Sequence, residues 1–209
     1  MKIICIGRNY PAHARELNNE IPEDPVIFLK PETAVLQSGN TFFLPTFSPE
    51  IHYECEVTLK IGKKGKDIPE TQADSYLSGV GLGIDFTARD LQQKLKQKGL
   101  PWELSKAFDQ SAVISEFYPI HSFQNIHELS FELFINGLQK QQGNTREMLF
   151  SIPKIISFVS MYFTLIAGDI IFTGTPAGVG KVNHGDLLAG KLNGHEILTV
   201  SIGNTLVKI

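Results

Sequence analysis

The chain has 209 residues, a formal net charge of −3 and a pI near 6.1, which leaves no excess of cationic surface to draw a nucleic-acid backbone or an anionic membrane. That length suits one domain, residues 1–209, better than two, and is enough to bury a substantial core. Cys5 and Cys55 lack CxxC or Cys/His spacing, so neither a disulfide framework nor a structural zinc is expected, and a reducing, cytoplasmic setting is the simpler reading.

In chain order, Ile3 to Ile6 is too short an apolar run for a signal-peptide core and reads as a first strand. A helix is predicted over Pro11 to Asn19, with Asn9 as its cap. Strands follow at Val26 to Leu29, Tyr53 to Ile61 and Tyr76 to Phe86, then a helix over Ala88 to Lys98 with Leu91 and Leu95 one turn apart. Phe131 to Asn136 reads as a strand, and Asn136-Gly137 after it as a hairpin turn, because this pair tolerates the positive φ angles of a type I′ turn. A third helix, Pro153 to Phe163, starts after Ser151, and strands are expected at Asp169 to Thr173 and Ile197 to Ile202. No stretch approaches the roughly 20 apolar residues of a membrane helix, since the longest, Ile152 to Ala167, is interrupted by Pro153 and Lys154. Short Val, Ile and Phe runs separated by Gly and Pro predict a predominantly β chain, with no repeat or linker dividing it.

Several residues could carry chemistry. In a strand, His52, Glu54 and Glu56 project from one face at period two; they form either a solvated face or, with the two acids as neighbours, a site for a hard cation. Asp85 ends a Gly-rich apolar run just before a helix, so it is a helix cap or a third oxygen ligand. Three carboxylates on an ion of roughly six coordination sites leave positions that a 2-oxo acid fills through its carboxylate and keto oxygens. His13 and Glu16, three apart on a short helix, are a surface ion pair or a carboxylate-oriented base, and the polar stretch Asn18 to Asp24 after them suits a lid. Lys106, in an apolar frame, snorkels to water or meets an anion. Arg89 and Gln92 share a helix face just beyond Asp85 and suit a carboxylate and a carbonyl. The loop Thr173 to Gly180 has neither P-loop nor dinucleotide order; it is a tight turn or a place where backbone amides and the Thr175 hydroxyl meet a carboxylate.

Taken in order, these segments resemble the fumarylacetoacetate hydrolase family, in particular its short members similar to acylpyruvases and oxaloacetate decarboxylases. The resemblance is carried by Gly7-Arg8-Asn9-Tyr10 with His13 and Glu16, Phe28-Leu29-Lys30-Pro31, His52-x-Glu54-x-Glu56, Asp85-x-Thr87-x-Arg89-Asp90-x-Gln92, Gly99-Leu100-Pro101-Trp102, Lys106-x-Phe108-Asp109 and Thr173-Gly174-Thr175-Pro176-x-Gly178-Val179-Gly180. It implies an α+β, predominantly β fold, a mixed β-roll or sandwich-like arrangement of the fumarylacetoacetate hydrolase C-terminal domain type with few short helices. It also implies a homodimer, with Mg²⁺, or Mn²⁺ as the alternative, on Glu54, Glu56 and Asp85.

By the same resemblance His13 and Glu16 activate water under a closing lid, Lys106 counts with both the catalytic and the substrate-binding groups, and Arg89, Gln92 and Thr175 hold the substrate's carboxylate and oxo groups. Arg8 and Lys30 lie in matching motifs without an assigned role. Tyr53 stands where a second His is often found, and Lys181 where Pro is common. The expected reaction is metal-dependent C–C hydrolysis of a 3-acylpyruvate, because the dyad supplies a nucleophilic water. Oxaloacetate decarboxylation or tautomerisation and dioate isomerisation of the 2-hydroxyhepta-2,4-diene-1,7-dioate type use the same enolate. A non-catalytic carboxylate-binding domain is the reading from outside enzymology.

Overall fold

The computed structural model describes residues 1–17 and 20–204. Its largest sheet runs in the order β2 (Val26–Lys30), β1 (Ile3–Gly7), β13 (Ile170–Phe172), β6 (Cys55–Ile61), β7 (Leu77–Asp85), β9 (Ala112–Ile114) and β3 (Val35–Gln37), with β10 (Tyr118–Pro119) also paired to β7. A five-stranded sheet has the order β12 (Leu138–Asn144), β11 (Ser130–Ile135), β15 (Leu187–Leu192), β16 (His195–Gly203) and β4 (Thr41–Phe43). A small third sheet joins β14 (Gly180–Lys181), β5 (Ile51–Tyr53) and β8 (Thr87–Ala88). The helices α1 (Pro11–Glu16), α2 (Arg89–Gln97), α3 (Glu103–Lys106) and α4 (Ile152–Tyr162) are short, and strands dominate as predicted. No helix among the described residues is long and apolar enough to cross a membrane.

β6 and β7 sit in the middle of the large sheet and are covered on both faces, which is why they read as nearly continuous apolar runs. The five-stranded sheet packs against them through β11, β15 and β16. In β11 the alternation is clean: Phe131, Leu133 and Ile135 are buried between more exposed neighbours. Its hairpin to β12 turns at Asn136 (φ 52°) and Gly137 (φ 79°), the two left-handed residues that a type I′ turn requires. In β7, a Cβ on Gly83 would stand 2.6 Å from Phe172 Cζ and 2.8 Å from Thr58 Cγ2, so only glycine lets β13 and β6 close over it.

Three expectations change. The predicted strand Tyr53 to Ile61 is broken at Glu54, with β5 in the small sheet and β6 in the large one. Asn9 does not cap α1; Tyr10 occupies the cap position, and the Asn9 side chain instead donates to the Phe150 and Thr173 carbonyls and accepts from the Phe150 amide. α1 ends at Glu16, short of the predicted Asn19, and the first residues of the expected lid, Asn18 and Asn19, lie outside the described residues. α2 and α4 match their predicted spans within two residues, and Ser151 Oγ accepts from the Lys154 amide at 3.4 Å.

Candidate active site

Glu54 occupies the single-residue gap between β5 and β6. Antiparallel pairing of β6 with β7 sets Cys55 opposite Ile84 and Glu56 opposite Gly83, and the Asp85 amide donates to the Glu54 carbonyl at 2.8 Å. This register collects the acids: one carboxylate oxygen each from Glu54, Glu56 and Asp85 lies within 4.8 Å of the others, and all three residues are buried. Asp85 is therefore no helix cap; α2 is capped by Ala88 without a side-chain hydrogen bond. His52, expected on the same face, stays in β5 with Nε2 3.5 Å from Glu50, because the break at Glu54 ends the period-two alternation.

Cations are distributed unevenly over the three acids. Lys106, 3 % exposed, donates to Glu54 Oε2 at 2.8 Å, Asp85 Oδ2 at 2.6 Å and Thr87 Oγ1 at 2.6 Å. Lys30 Nζ lies 2.8 Å from Asp85 Oδ1, out of line for a hydrogen bond and so a plain ion pair, and it donates to Ser111 Oγ at 2.9 Å. Arg89 Nη2 contacts Glu54 Oε1, and its Nη1 donates to Gln92 Oε1 at 2.6 Å. Burial pushes the Glu54 carboxyl up, but Lys106 and Arg89 outweigh it and hold the group well below the usual carboxylate range. Glu56 accepts the Gly174 amide at 2.6 Å and forms no ion pair with a cationic side chain among the described residues. Burial first, then the charges of Asp85 and Glu54, push its carboxyl well above the usual range. A buried, all-oxygen donor set with one uncompensated acid is what a hard divalent ion requires, so the three residues could hold one.

His13 on α1 is buried, with Nδ1 3.2 Å from Glu16 Oε2. Glu16 is itself fixed, since its Oε1 accepts the Gly178 amide at 2.9 Å from the Gly-rich loop. Thr175 Oγ1 donates to the Cys55 carbonyl and accepts from Gln141 Nε2, both at 2.8 Å, so its hydroxyl ties that loop to β6. His13, Glu54, Glu56, Asp85, Arg89, Gln92, Lys106 and Thr175 all line one cleft, and Glu16 stands behind His13.

With this geometry the comparisons with known proteins agree. The sequence profile described as fumarylacetoacetate (FAA) hydrolase C-terminal matches residues 2–203. The chain belongs to the fumarylacetoacetate hydrolase family. Human mitochondrial oxaloacetate tautomerase is 42% identical over 200 residues, spanning 96% of this chain and 90% of the human protein. The oxaloacetate tautomerase YcgM of Escherichia coli K12 is 39% identical over 199 residues, spanning 95% and 91% of the two chains. The crystal structure of fumarylpyruvate hydrolase from Pseudomonas aeruginosa, in complex with Mn²⁺ and pyruvate, matches with a TM-score of 0.92 at 38% identity, covering 98% of this chain and 90% of that one. This chain is an enzyme of the same family, and its fold is that of the family's C-terminal domain, as the resemblance implied.

Some residues around this fumarylacetoacetate hydrolase cleft carried no role in the sequence reading. Lys30 is fully buried against Asp85; its signal was the period-two burial it shares with Phe28 in β2. Lys96 also lines the cleft, seven residues after Arg89 and four after Gln92, a spacing that puts all three on one face of α2. Gln141 and Ser111, which buttress Thr175 and Lys30, had no local pattern to betray them.

Proposed function

We propose that this protein interconverts the keto and enol forms of a 2-oxo acid of the oxaloacetate class, using a divalent ion, Mg²⁺ with Mn²⁺ as its substitute, held by Glu54, Glu56 and Asp85. The observation that carries this reading is the placement of the buried acid cluster and the His13–Glu16 pair on one cleft. The two oxaloacetate tautomerases that match this chain over nearly its full length support it. When bound, the ion supplies Lewis-acid stabilisation of the negative charge that develops on the 2-oxo oxygen.

The chain's own residues do the rest. Lys106, Arg89, Gln92 and Thr175 orient the carboxylate and oxo groups at the buried end. With Nδ1–H donated to Glu16, His13 presents Nε2 as the base that removes the C3 proton while the 2-oxo oxygen takes a proton from solvent to complete the enol, and the opposite course reverses both transfers. Glu16, clamped by the Gly178 amide, fixes the imidazole's tautomer and angle. The family resemblance adds a homodimer to this reading.

A second reading, C–C hydrolysis of a 3-acylpyruvate, is favoured by the same clamped dyad. There His13 takes a proton from water, the water oxygen bonds to the distal acyl carbon, and the pyruvate unit leaves as its enolate. Stopped-flow absorbance of the oxaloacetate enol separates the two from pyruvate release measured on a panel of acylpyruvates. Tautomerisation is expected to stop with EDTA and to fall about 10²- to 10⁴-fold in His13→Ala, the range for a lost general base. Tautomerisation indifferent to both perturbations, while acylpyruvates are cleaved, would leave the hydrolase as the function.

A further inference from the structure

Cys55 separates Glu54 from Glu56 and is fully buried at a place where the large sheet runs out of strand. Along one edge β6 pairs with β7, and there the Glu54 carbonyl accepts the Asp85 amide. Along the other edge β13 stops at Phe172, opposite Thr58, so the Cys55 amide and carbonyl face no strand. A buried peptide group left unpaired is costly, and something other than a ladder must satisfy this one.

Side chains take the strand's place. Gln141, 1 % exposed, accepts the Cys55 amide through Oε1 at 2.9 Å and donates through Nε2 to Thr175 Oγ1 at 2.8 Å and to the Pro176 carbonyl at 3.0 Å. Thr175 Oγ1 gives its own proton to the Cys55 carbonyl at 2.8 Å, which closes a ring of hydrogen bonds that starts and ends on Cys55. The Cys55 amide can only donate and the Pro176 carbonyl can only accept, so the Gln141 amide has one orientation and its oxygen and both protons are engaged. A bulge aims Gln141 at this point: Leu133 pairs with Gln141 but Phe134 with Gln139, which leaves Lys140 over. Gly178 rests on the same bulge, with no room for a Cβ beside the Lys140 carbonyl, and its amide is the one that holds Glu16.

We propose that Gln141 is a positioning residue for the Glu54–Glu56 pair: with Thr175 it locks the peptide between the two acids and registers them against the Gly-rich loop that holds Glu16. This rests on the proposed metal-dependent function and adds to it a determinant that does not line the cleft. Glu54 and Glu56 are the two chain neighbours of Cys55, so a tilt of that residue's backbone moves both carboxylates. The β11–β12 hairpin thereby reaches the acid cluster from the other sheet through one side-chain amide.

The first measurement uses the full chain in EDTA. The Cys55 amide should exchange slowly with D₂O in ¹⁵N-labelled wild type, and Gln141→Met, which keeps the volume and removes the amide, should speed that exchange about tenfold or more beyond any change in the β16 amides. Calorimetric titration with Mn²⁺, without substrate, should show Gln141→Met binding about 10- to 100-fold more weakly, the usual cost of losing a group that orients metal ligands. Thr175→Val opens the ring at its other member and should weaken Mn²⁺ in the same range, while the double variant loses well short of the product of the two effects. Ile135→Ala loosens the same hairpin without touching the ring and should leave Mn²⁺ affinity within about threefold of wild type. Unaltered Cys55 exchange or Mn²⁺ affinity in Gln141→Met, losses that multiply in the double variant, or an Ile135→Ala variant as weak as Gln141→Met overturns the role of Gln141. If Gln141→Met does not fold, Thr175→Val decides by the same two measurements. A wild type that binds no Mn²⁺, or binds it without turnover of a 2-oxo acid, overturns the proposed function instead, and Cys55 exchange still decides for or against the ring.

Discussion

Replacing Lys106 by Met keeps most of its buried methylene volume and removes the ammonium that bridges Glu54 Oε2 and Asp85 Oδ2 at 2.8 and 2.6 Å. Two buried carboxylates then face Glu56 with Lys30 and Arg89 as the remaining nearby cations. Burial lowers the Lys106 ammonium's proton affinity, but Asp85 and Glu54 outweigh it and raise it, so the wild-type side chain is charged. Breaking a buried pair by deleting one partner costs about 3–5 kcal/mol. For a chain of this size, at roughly 2–4 °C per kcal/mol, Tm in EDTA should fall by about 6–20 °C. A divalent ion that binds the same carboxylates should then restore more stability to the variant than it adds to the wild type; at about 100 times its Kd it contributes roughly 2.7 kcal/mol. Thermal unfolding followed by near-UV circular dichroism, in EDTA and in saturating Mg²⁺, reads both effects. A Tm in EDTA within a degree or two of wild type, or equal Mg²⁺-induced shifts in the two proteins, would show that Lys106 and the ion do not share these acids.

In metal-free protein the raised Glu56 carboxyl keeps a proton that the unfolded chain has released, so stability should fall as pH rises from the ordinary value of 4.5 toward the raised folded value. Glu56→Gln lacks that slope, and urea titrations in EDTA at about pH 5 and pH 8 should show the variant gaining on wild type as pH rises; parallel curves would contradict the assignment. Gly174→Ala places a Cβ 2.7 Å from Asn9 Cβ at φ +102° and displaces the amide that Glu56 accepts. Weaker Mn²⁺ binding by calorimetry is expected along with about 1–3 kcal/mol of destabilisation, and unchanged Mn²⁺ affinity would deny the amide a part in orienting Glu56. Gly83→Ala drives a methyl into Phe172 and Thr58 and should cost about 1–3 kcal/mol in urea unfolding, with a wild-type midpoint as the contrary result.

The sequence by itself determined the β-rich class, the Asn136-Gly137 hairpin and the spans of α2 and α4, and it singled out side chains that the structure brings to one cleft, because these follow from local periodicity, turn chemistry and ordered motifs. Period-two spacing predicted Glu54 and Glu56 as neighbours but also enrolled His52, since a sequence does not reveal that the chain changes sheets at Glu54. By its position alone Asp85 read more readily as a helix cap than as a ligand, until the β6–β7 register placed it beside Glu54. Only the tertiary structure decided which cation serves which acid. Lys30 and Asp85 are 55 residues apart in sequence (85 − 30), and nothing local to either shows that their strands end at one point. Charge pairing in a low-dielectric core depends on distances of a few ångströms set by sheet order. That order is fixed by how β1, β13, β6 and β7 stack side by side, which no short window of sequence contains.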